Sequence, residues 1–205
     1  MGRILLFAAL LISVLVGCSQ NPDDDESVEL QAACHGILDG RVAAGIIETG
    51  RHDPEELVEI ADDKVKYPGK FCNVQRKSDA LLQFDLSYAW VDISDAPAPP
   101  EERRSDDSGY VYDAGEDIEI VSGGRLDPGV STVRFRCEVA DPGPRAVEGR
   151  LIEHLFGLNQ EATFSVLLAS AEKAAEGFGC RNALDFPDAA DVKGPAPTAS
   201  ATPEG

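Results

Sequence analysis

The chain is short of positive charge, of aromatic side chains and of histidine. Its 205 residues include 18 basic and 37 acidic side chains, which give a formal net charge of -19 at pH 7. A surface of this sign repels phosphate groups, so the composition disfavours nucleic-acid binding and attachment to anionic lipid by charge alone. We interpret the acidity mainly as a means of keeping the protein soluble rather than as a cation-binding property.

The sequence also lacks the short motifs that mark common catalytic sites. It contains no G-x-S-x-G, no H-E-x-x-H, no phosphate-binding P-loop and no dinucleotide fingerprint. Ser170-Ala171-Glu172-Lys173 matches the S-x-x-K motif of penicillin-recognising acylases, but the S-D-N motif has no complete counterpart and K-T-G is missing. We therefore assign Ser170 to helix packing and predict no catalytic residue and no cofactor.

No hydrophobic run in the N-terminal region is long enough to span a membrane as a helix. The apolar run Ile4–Val16 follows Arg3 and is shorter than the ~20 residues that a spanning helix needs. An early cation, a short apolar core and small residues after it are typical of an export signal that is removed. We predict a signal peptide over residues 1–17, a flexible tether over 18–27, one domain over 28–188 and a disordered tail over 189–205.

The end of the predicted signal carries a more specific pattern. Leu15-Val16-Gly17-Cys18 resembles the lipobox of bacterial lipoproteins, in which the cysteine thiol receives a diacylglyceryl group and becomes the new N-terminus. The resemblance implies that Cys18 carries fatty acyl chains such as palmitate and holds the protein on the outer face of the cytoplasmic membrane. Two or three acyl chains anchor a protein stably, whereas one gives marginal binding. N-myristoylation is not predicted, because Leu6 stands where its motif requires Ser or Thr.

The cysteine count agrees with this interpretation. Five cysteines are present, and if Cys18 carries lipid, an even set of four remains in an oxidising compartment. Two disulfides are therefore predicted. We favour Cys34–Cys72 with Cys137–Cys180, because these pairs close the more local loops; Cys34–Cys180 with Cys72–Cys137 stays open.

Histidine is too scattered to predict a metal site. His35, His52 and His154 include no pair at a ligand-like spacing. Cys34 and His35 with Cys72 would provide zinc-binding atoms, but in an exported chain a disulfide suits those thiols better. No metal is predicted.

Alternating hydrophobicity predicts an antiparallel sheet. The clearest strand presents Leu82, Phe84, Leu86, Tyr88 and Trp90 on one face. Tyr88 and Trp90 are candidates for lining a ligand cleft, although an aromatic row is more often part of a core. The other predicted strands cover residues 70–76, 110–112, 118–121, 131–139 and, with the weakest pattern, 151–156.

Capping signals predict helices near both ends of the domain, over residues 39–48 and from Asn159 to Gly177. Asp53-Pro54-Glu55-Glu56 predicts a further short helix to Ala61, with a strand over residues 57–60 as the alternative. Residues 94–109, rich in proline and charge, are predicted to form a surface loop. The expected fold class is α+β: a single antiparallel sheet, helices near both ends and two disulfides.

The layout from Cys34 to Pro187 also resembles uncharacterised lipoproteins of high-GC Gram-positive bacteria, through the segments CHGILDGRVAAGII, FCNV, RFRCEV and AAEGFGCRNALDFP. That resemblance implies an α+β domain and no known activity. An anchor, a disulfide-linked domain and no catalytic motif favour a non-enzymatic binding or accessory module of the cell envelope. Its partner would be a small molecule or another envelope protein. The alternative is an envelope hydrolase whose catalytic residues meet only in the fold.

Overall fold

A computed structural model describes residues 33–38, 40, 42–43, 46, 57–59, 67–103, 105–106, 109–124, 129–140 and 143–196. The predicted signal peptide, the tether and Cys18 lie outside the described residues. Among the described helices, none has both the length and the apolar character required to cross a membrane.

Seven antiparallel strands form one sheet. They are β1 (Leu57–Glu59), β2 (Gly69–Arg76), β3 (Asp79–Val91), β4 (Tyr110–Asp113), β5 (Ile118–Ser122), β6 (Val130–Glu138) and β7 (Pro144–Glu153). Their order across the sheet is β1-β2-β3-β7-β6-β5-β4. The last strand therefore lies in the middle and joins the β1–β3 half to the β4–β6 half. The predicted strands that correspond to β2 to β6 are confirmed, whereas β7 begins at Pro144 and not at residue 151, so the prediction missed residues 144–150.

The short helix predicted after Asp53 is wrong where it can be tested. Leu57–Glu59 form β1, the alternative assignment, and pair with Val74, Gln75 and Arg76 of β2. A helix of only a few residues is unstable by itself, because its first turn fixes several dihedral angles for one hydrogen bond. Backbone pairing along β2 outweighs the capping signal, whose residues 53–56 lie outside the described part of the chain.

One α-helix has defined bounds among the described residues, α1 (Gln160–Phe178). Its start is as predicted, since the Asn159 side chain accepts a hydrogen bond from the backbone N–H of Ala162 at 2.9 Å. Gly179 ends it in the left-handed conformation. Its buried face packs on β6 and β7.

Helices near both ends of the domain are thus not shown by the structure. Of the predicted helix over residues 39–48, four residues are described, and all four are helical: Gly40, Val42, Ala43 and Ile46. The rest of that helix lies outside the described residues.

The core lies on the sheet face that α1 covers, the inner face. It contains Phe84, Leu86 and Tyr88 from β3 and Val133 and Phe135 from β6, all at most 1% exposed. Their spacing of two residues is the alternation read from the sequence. Burial of side chains this large supplies the main driving force for the fold.

The two disulfides join the pairs that we favoured. Cys34 is bonded to Cys72, and Cys137 to Cys180, with Cα atoms 5.0 Å apart in each pair. The first bond joins a short 3-10 turn, Ala33–Gly36, to β2. The second joins β6 to the residue that follows Gly179, so it fixes the C-terminal end of α1 against the sheet.

The turn after β7 explains why this strand stops at Glu153 rather than at Phe156. The Glu153 carboxylate accepts hydrogen bonds from the backbone N–H groups of Leu155, Phe156, Gly157 and Leu158, at 2.6 to 3.2 Å. Bonds from several N–H groups to one ionised carboxylate are strong. They close a turn in place of further ladder bonds and direct the chain into α1.

The disordered tail predicted over residues 189–205 is wrong for residues 189–196. Ala189–Asp191 form a 3-10 turn, and Lys193 makes a β-bridge with Asp113 of β4. Ala196 donates a backbone hydrogen bond to Val111 at 2.7 Å. Low complexity did not reveal these bonds, because they are made by the backbone with a distant strand. Residues 197–205 lie outside the described residues.

Candidate functional site

Tyr88 belongs to the core and does not line a ligand cleft. Its side chain is 1% exposed, and its hydroxyl lies 2.6 Å from Ser170 Oγ on α1. It faces Gly149 across β3 and β7, and a Cβ atom at Gly149 would collide with its ring. Burial raises the pKa of Tyr88. This part of the predicted cleft is therefore wrong, because β7 leaves room for the ring and α1 closes over it.

Trp90 is half-buried at the edge of the core. Its ring packs on Phe178 with centroids 4.6 Å apart, and the Arg145 guanidinium lies 5.1 Å from the indole centroid. A cation placed over an indole is favourable. These contacts place the Trp90 ring against the C-terminal end of α1, so it does not line a ligand cleft.

The S-x-x-K residues do not converge. Ser170 Oγ lies 2.7 Å from the Val166 carbonyl oxygen and bonds Tyr88, whereas Lys173 Nζ donates to the backbone oxygen of His35 at 2.7 Å. Helix packing explains both residues.

The histidines do not form a site within the described part of the chain. The ring of His35 packs edge-on against Phe71, 5.4 Å between centroids, and the ring of His154 lies against Gly129. Neither ring is hydrogen-bonded to a serine there. His52 lies outside the described residues.

Ligand atoms of Cys34, Cys72 and Glu59 lie within 4.8 Å of one another, the single grouping at metal-binding distance among the described residues. The two sulfurs are joined as a disulfide, so they are not thiolate ligands. Glu59 instead accepts a hydrogen bond from the Cys34 backbone N–H at 3.0 Å. Sequence reasoning placed Glu59 in a helix and so missed this contact.

The proline-rich loop, predicted as plain surface, is held by a buried arginine. Arg103 is 2% exposed and donates to the backbone oxygens of Ala98 (2.9 Å), Gly115 (2.9 Å) and Glu116 (3.0 Å). It also donates to Asp113 Oδ1 at 2.7 Å. One guanidinium thus joins the loop, β4 and the β4–β5 turn, and its planar set of five donors suits this task.

A row of charges crosses the outer face of the sheet beneath that loop. The register aligns Asp113 of β4, Glu119 of β5, Arg134 of β6 and Glu148 of β7. Arg134 donates to Glu148 at 2.7 Å, and Arg134 and Arg103 each lie 3.7 Å from a Glu119 oxygen.

Glu119 is the most confined acid of this row, at 7% exposed. Burial raises the pKa of Glu119, and the nearby Arg134 and Arg103 oppose that rise. The two arginines are therefore needed to keep a carboxylate at this depth.

Two clefts flank the loop on this outer face. The larger, which we call the loop cleft, has a volume of about 670 Å³, and Pro97, Pro99 and Pro100 form its loop side. Its charged lining consists of Glu101, Asp113, Glu116, Asp117, Arg136 and Lys193. The smaller cleft, about 290 Å³, includes Glu102, Arg103 and Glu119. The acids of the loop cleft outnumber its cations, Arg136 and Lys193. Arg136 is paired with Asp117 at 3.2 Å.

Comparison with protein-family models, with curated proteins and with solved structures found no match. The lipoprotein resemblance therefore depends on Leu15-Val16-Gly17-Cys18 and on the cysteine layout alone. The function is inferred below from the residues of this chain.

Proposed function

We propose that the protein is a lipid-anchored, non-enzymatic binding module of the cell envelope that docks a partner in the loop cleft, on the outer face of the cytoplasmic membrane. The observation that carries the binding role is the buried Arg103, which holds the loop over the sheet. A cleft held in shape before binding lowers the entropy cost of association. Its volume of about 670 Å³ also falls within the range of known ligand sites.

The anchoring part of the proposal comes from the cysteines. Cys18 ends a lipobox-like segment, and the other four cysteines are paired. Disulfides suit an oxidising compartment, and Cys18 is the one cysteine left for lipid. Both features support export and acylation.

Site-specific photo-crosslinking in native membranes tests the binding role. A photoreactive amino acid at Glu101 or Glu116, both exposed in the loop cleft, is expected to give a defined adduct with the partner. The matched control is Glu172, an exposed glutamate on α1, which covers the opposite face of the sheet. Adducts of equal yield from all three positions, or from none, would show that the loop cleft is not the docking site.

A further inference from the structure

The outer edge of β4 is already paired with a later segment of the same chain. Residues 192–196, here called the C-terminal strap, run along this edge. Asp113 donates its backbone N–H to the Lys193 oxygen at 2.7 Å and accepts from the Lys193 N–H at 2.9 Å. Ala196 donates to the Val111 oxygen at 2.7 Å. The strap therefore acts as an added, irregular strand, which protects an otherwise open edge.

A buried serine completes this seat. The Ser105 hydroxyl accepts from the Val111 N–H at 3.0 Å and donates to the Ala196 oxygen at 2.8 Å, and Ser105 is 1% exposed. The hydroxyl fills a gap in the backbone ladder between β4 and the strap. The seat thus recognises main-chain atoms, which any extended polypeptide offers.

The side chains of the strap show what else the seat accepts. Gly194 has φ +147° and lies over Tyr112, where a Cβ atom would be 2.9 Å from the ring and 3.1 Å from the Tyr112 Cα. The neighbouring Lys193 is exposed and lines the loop cleft beside its acids. The seat thus holds a lysine at an acidic cleft and a glycine against an aromatic ring.

We infer that the seat formed by the β4 edge, Ser105 and the loop cleft binds an extended, lysine-bearing segment of a partner polypeptide by strand addition. The C-terminal strap is the resident occupant, and the partner segment replaces it. This inference rests on the proposed function, since it names what the loop cleft docks. The net charge of -19 favours a basic partner, because complementary charge speeds encounter and selects partners.

The strap is suited to exchange because backbone hydrogen bonds, rather than buried side chains, hold its central residues. Lys193, Gly194 and Pro195 are all exposed, so their side chains bury little surface against the rest of the protein. Segments with few buried contacts open at low free-energy cost. A covalently attached occupant nevertheless competes at an effective concentration of roughly millimolar, so a partner must bind more strongly than the strap does.

A labelled peptide with the sequence of residues 190–197, ADVKGPAP, tests the inference on the full mature chain. Gly194→Val displaces the strap, because a branched side chain fits neither the φ of +147° nor the contact with Tyr112. We expect the dissociation constant of the peptide, measured by fluorescence anisotropy, to be at least about tenfold lower for Gly194→Val than for the wild type. Gly143→Val is the matched control, since Gly143 has φ +108° but no atom near its Cβ position. It should bind the peptide like the wild type.

Charge reversal tests the role of the lysine. In the Gly194→Val protein, Glu116→Lys should weaken peptide binding about tenfold, and a peptide with Glu in place of Lys should bind as weakly. Ser105→Ala should also weaken peptide binding, because it removes the hydroxyl that bonds both the Val111 N–H and the backbone oxygen of the peptide residue that takes the place of Ala196. Unchanged affinity in these variants would overturn the inference.

Two further results would contradict it. A Gly194→Val protein with both disulfides and wild-type circular dichroism that binds no peptide would overturn strand addition at β4. A Gly194→Val protein that dimerises without peptide would identify a second copy as the occupant, against the partner inferred here. In either case, crosslinks from Glu101 and Glu116 would still support the proposed function, so the two failures are distinguishable.

Discussion

Replacing Arg103 with Ala is expected to lower the free energy of unfolding by about 3–5 kcal/mol, the range for removing one member of a buried ion pair. The change leaves Glu119 at 7% exposure with a single cationic neighbour, and it removes the donor shared by Ala98, Gly115 and Glu116. The loop also loses its link to Asp113. Urea unfolding followed by circular dichroism measures the loss.

Arg136→Ala is the control for this result. Arg136 is paired with Asp117, but both side chains are 40% exposed, and exposed pairs contribute roughly 0.2–1 kcal/mol. Arg136 lines the loop cleft and Arg103 the smaller cleft, and each is paired with an acid, so the comparison sets an exposed ion pair against a buried one. Equal losses in the two variants would contradict a structural role for the buried guanidinium.

The loss caused by Arg103→Ala should also depend on pH. Arg103 is one of two cations that lower the Glu119 pKa, so its removal raises that pKa further above the ordinary value. A raised carboxyl pKa means that the folded state holds its proton more tightly than the unfolded state does, so stability falls as pH rises through the folded pKa. The difference between wild type and variant should therefore be larger at pH 7 than near pH 4.

Removing the second disulfide is the other change with a large expected effect. Cys137→Ser with Cys180→Ser opens a link between residues 43 positions apart, which the chain-entropy model puts at about 4 kcal/mol. The bond fixes the end of α1 against β6. Unfolding in urea under non-reducing conditions measures the change.

Asn182→Ala is a useful comparison for the disulfide variant. Asn182 joins the same two elements, by accepting from the Glu138 N–H and donating to the Arg136 oxygen, each at 2.9 Å. Two such bonds contribute about 1–3 kcal/mol. If the disulfide variant loses no more free energy of unfolding than Asn182→Ala does, the cross-link is not what holds the end of α1 against β6.

The sequence predicts those parts of the fold that local patterns determine. Strands β3 and β6 follow from the period of two in their buried residues, and α1 follows from Asn159 and the apolar stripe behind it. The disulfide pairing follows from loop lengths, because short loops close at lower entropy cost. The pattern predicts a helix where β1 forms, because the capping residues are visible in the local sequence and the backbone pairing with β2 is not.

The candidate site is less predictable, because register brings its residues together. Asp113, Glu119, Arg134 and Glu148 lie on four strands, and none is unusual in its local sequence. Arg103 lies in a charged loop, where burial is the exception. One local feature points to Arg103: it is an arginine among prolines and acids, in a loop next to two predicted strands. Tyr88 and Trp90 are candidates because they belong to an aromatic row on one face of a strand, and such a row does not distinguish a core face from a cleft.

Intact mass spectrometry of the protein purified from membranes tests the central claim most directly. We expect a chain that begins at Cys18 and carries the mass of its acyl groups. Alkylation without reduction should leave Cys34, Cys72, Cys137 and Cys180 unmodified. A mature chain without lipid on Cys18, or one whose four paired cysteines react as free thiols, would contradict an anchored, disulfide-linked binding module.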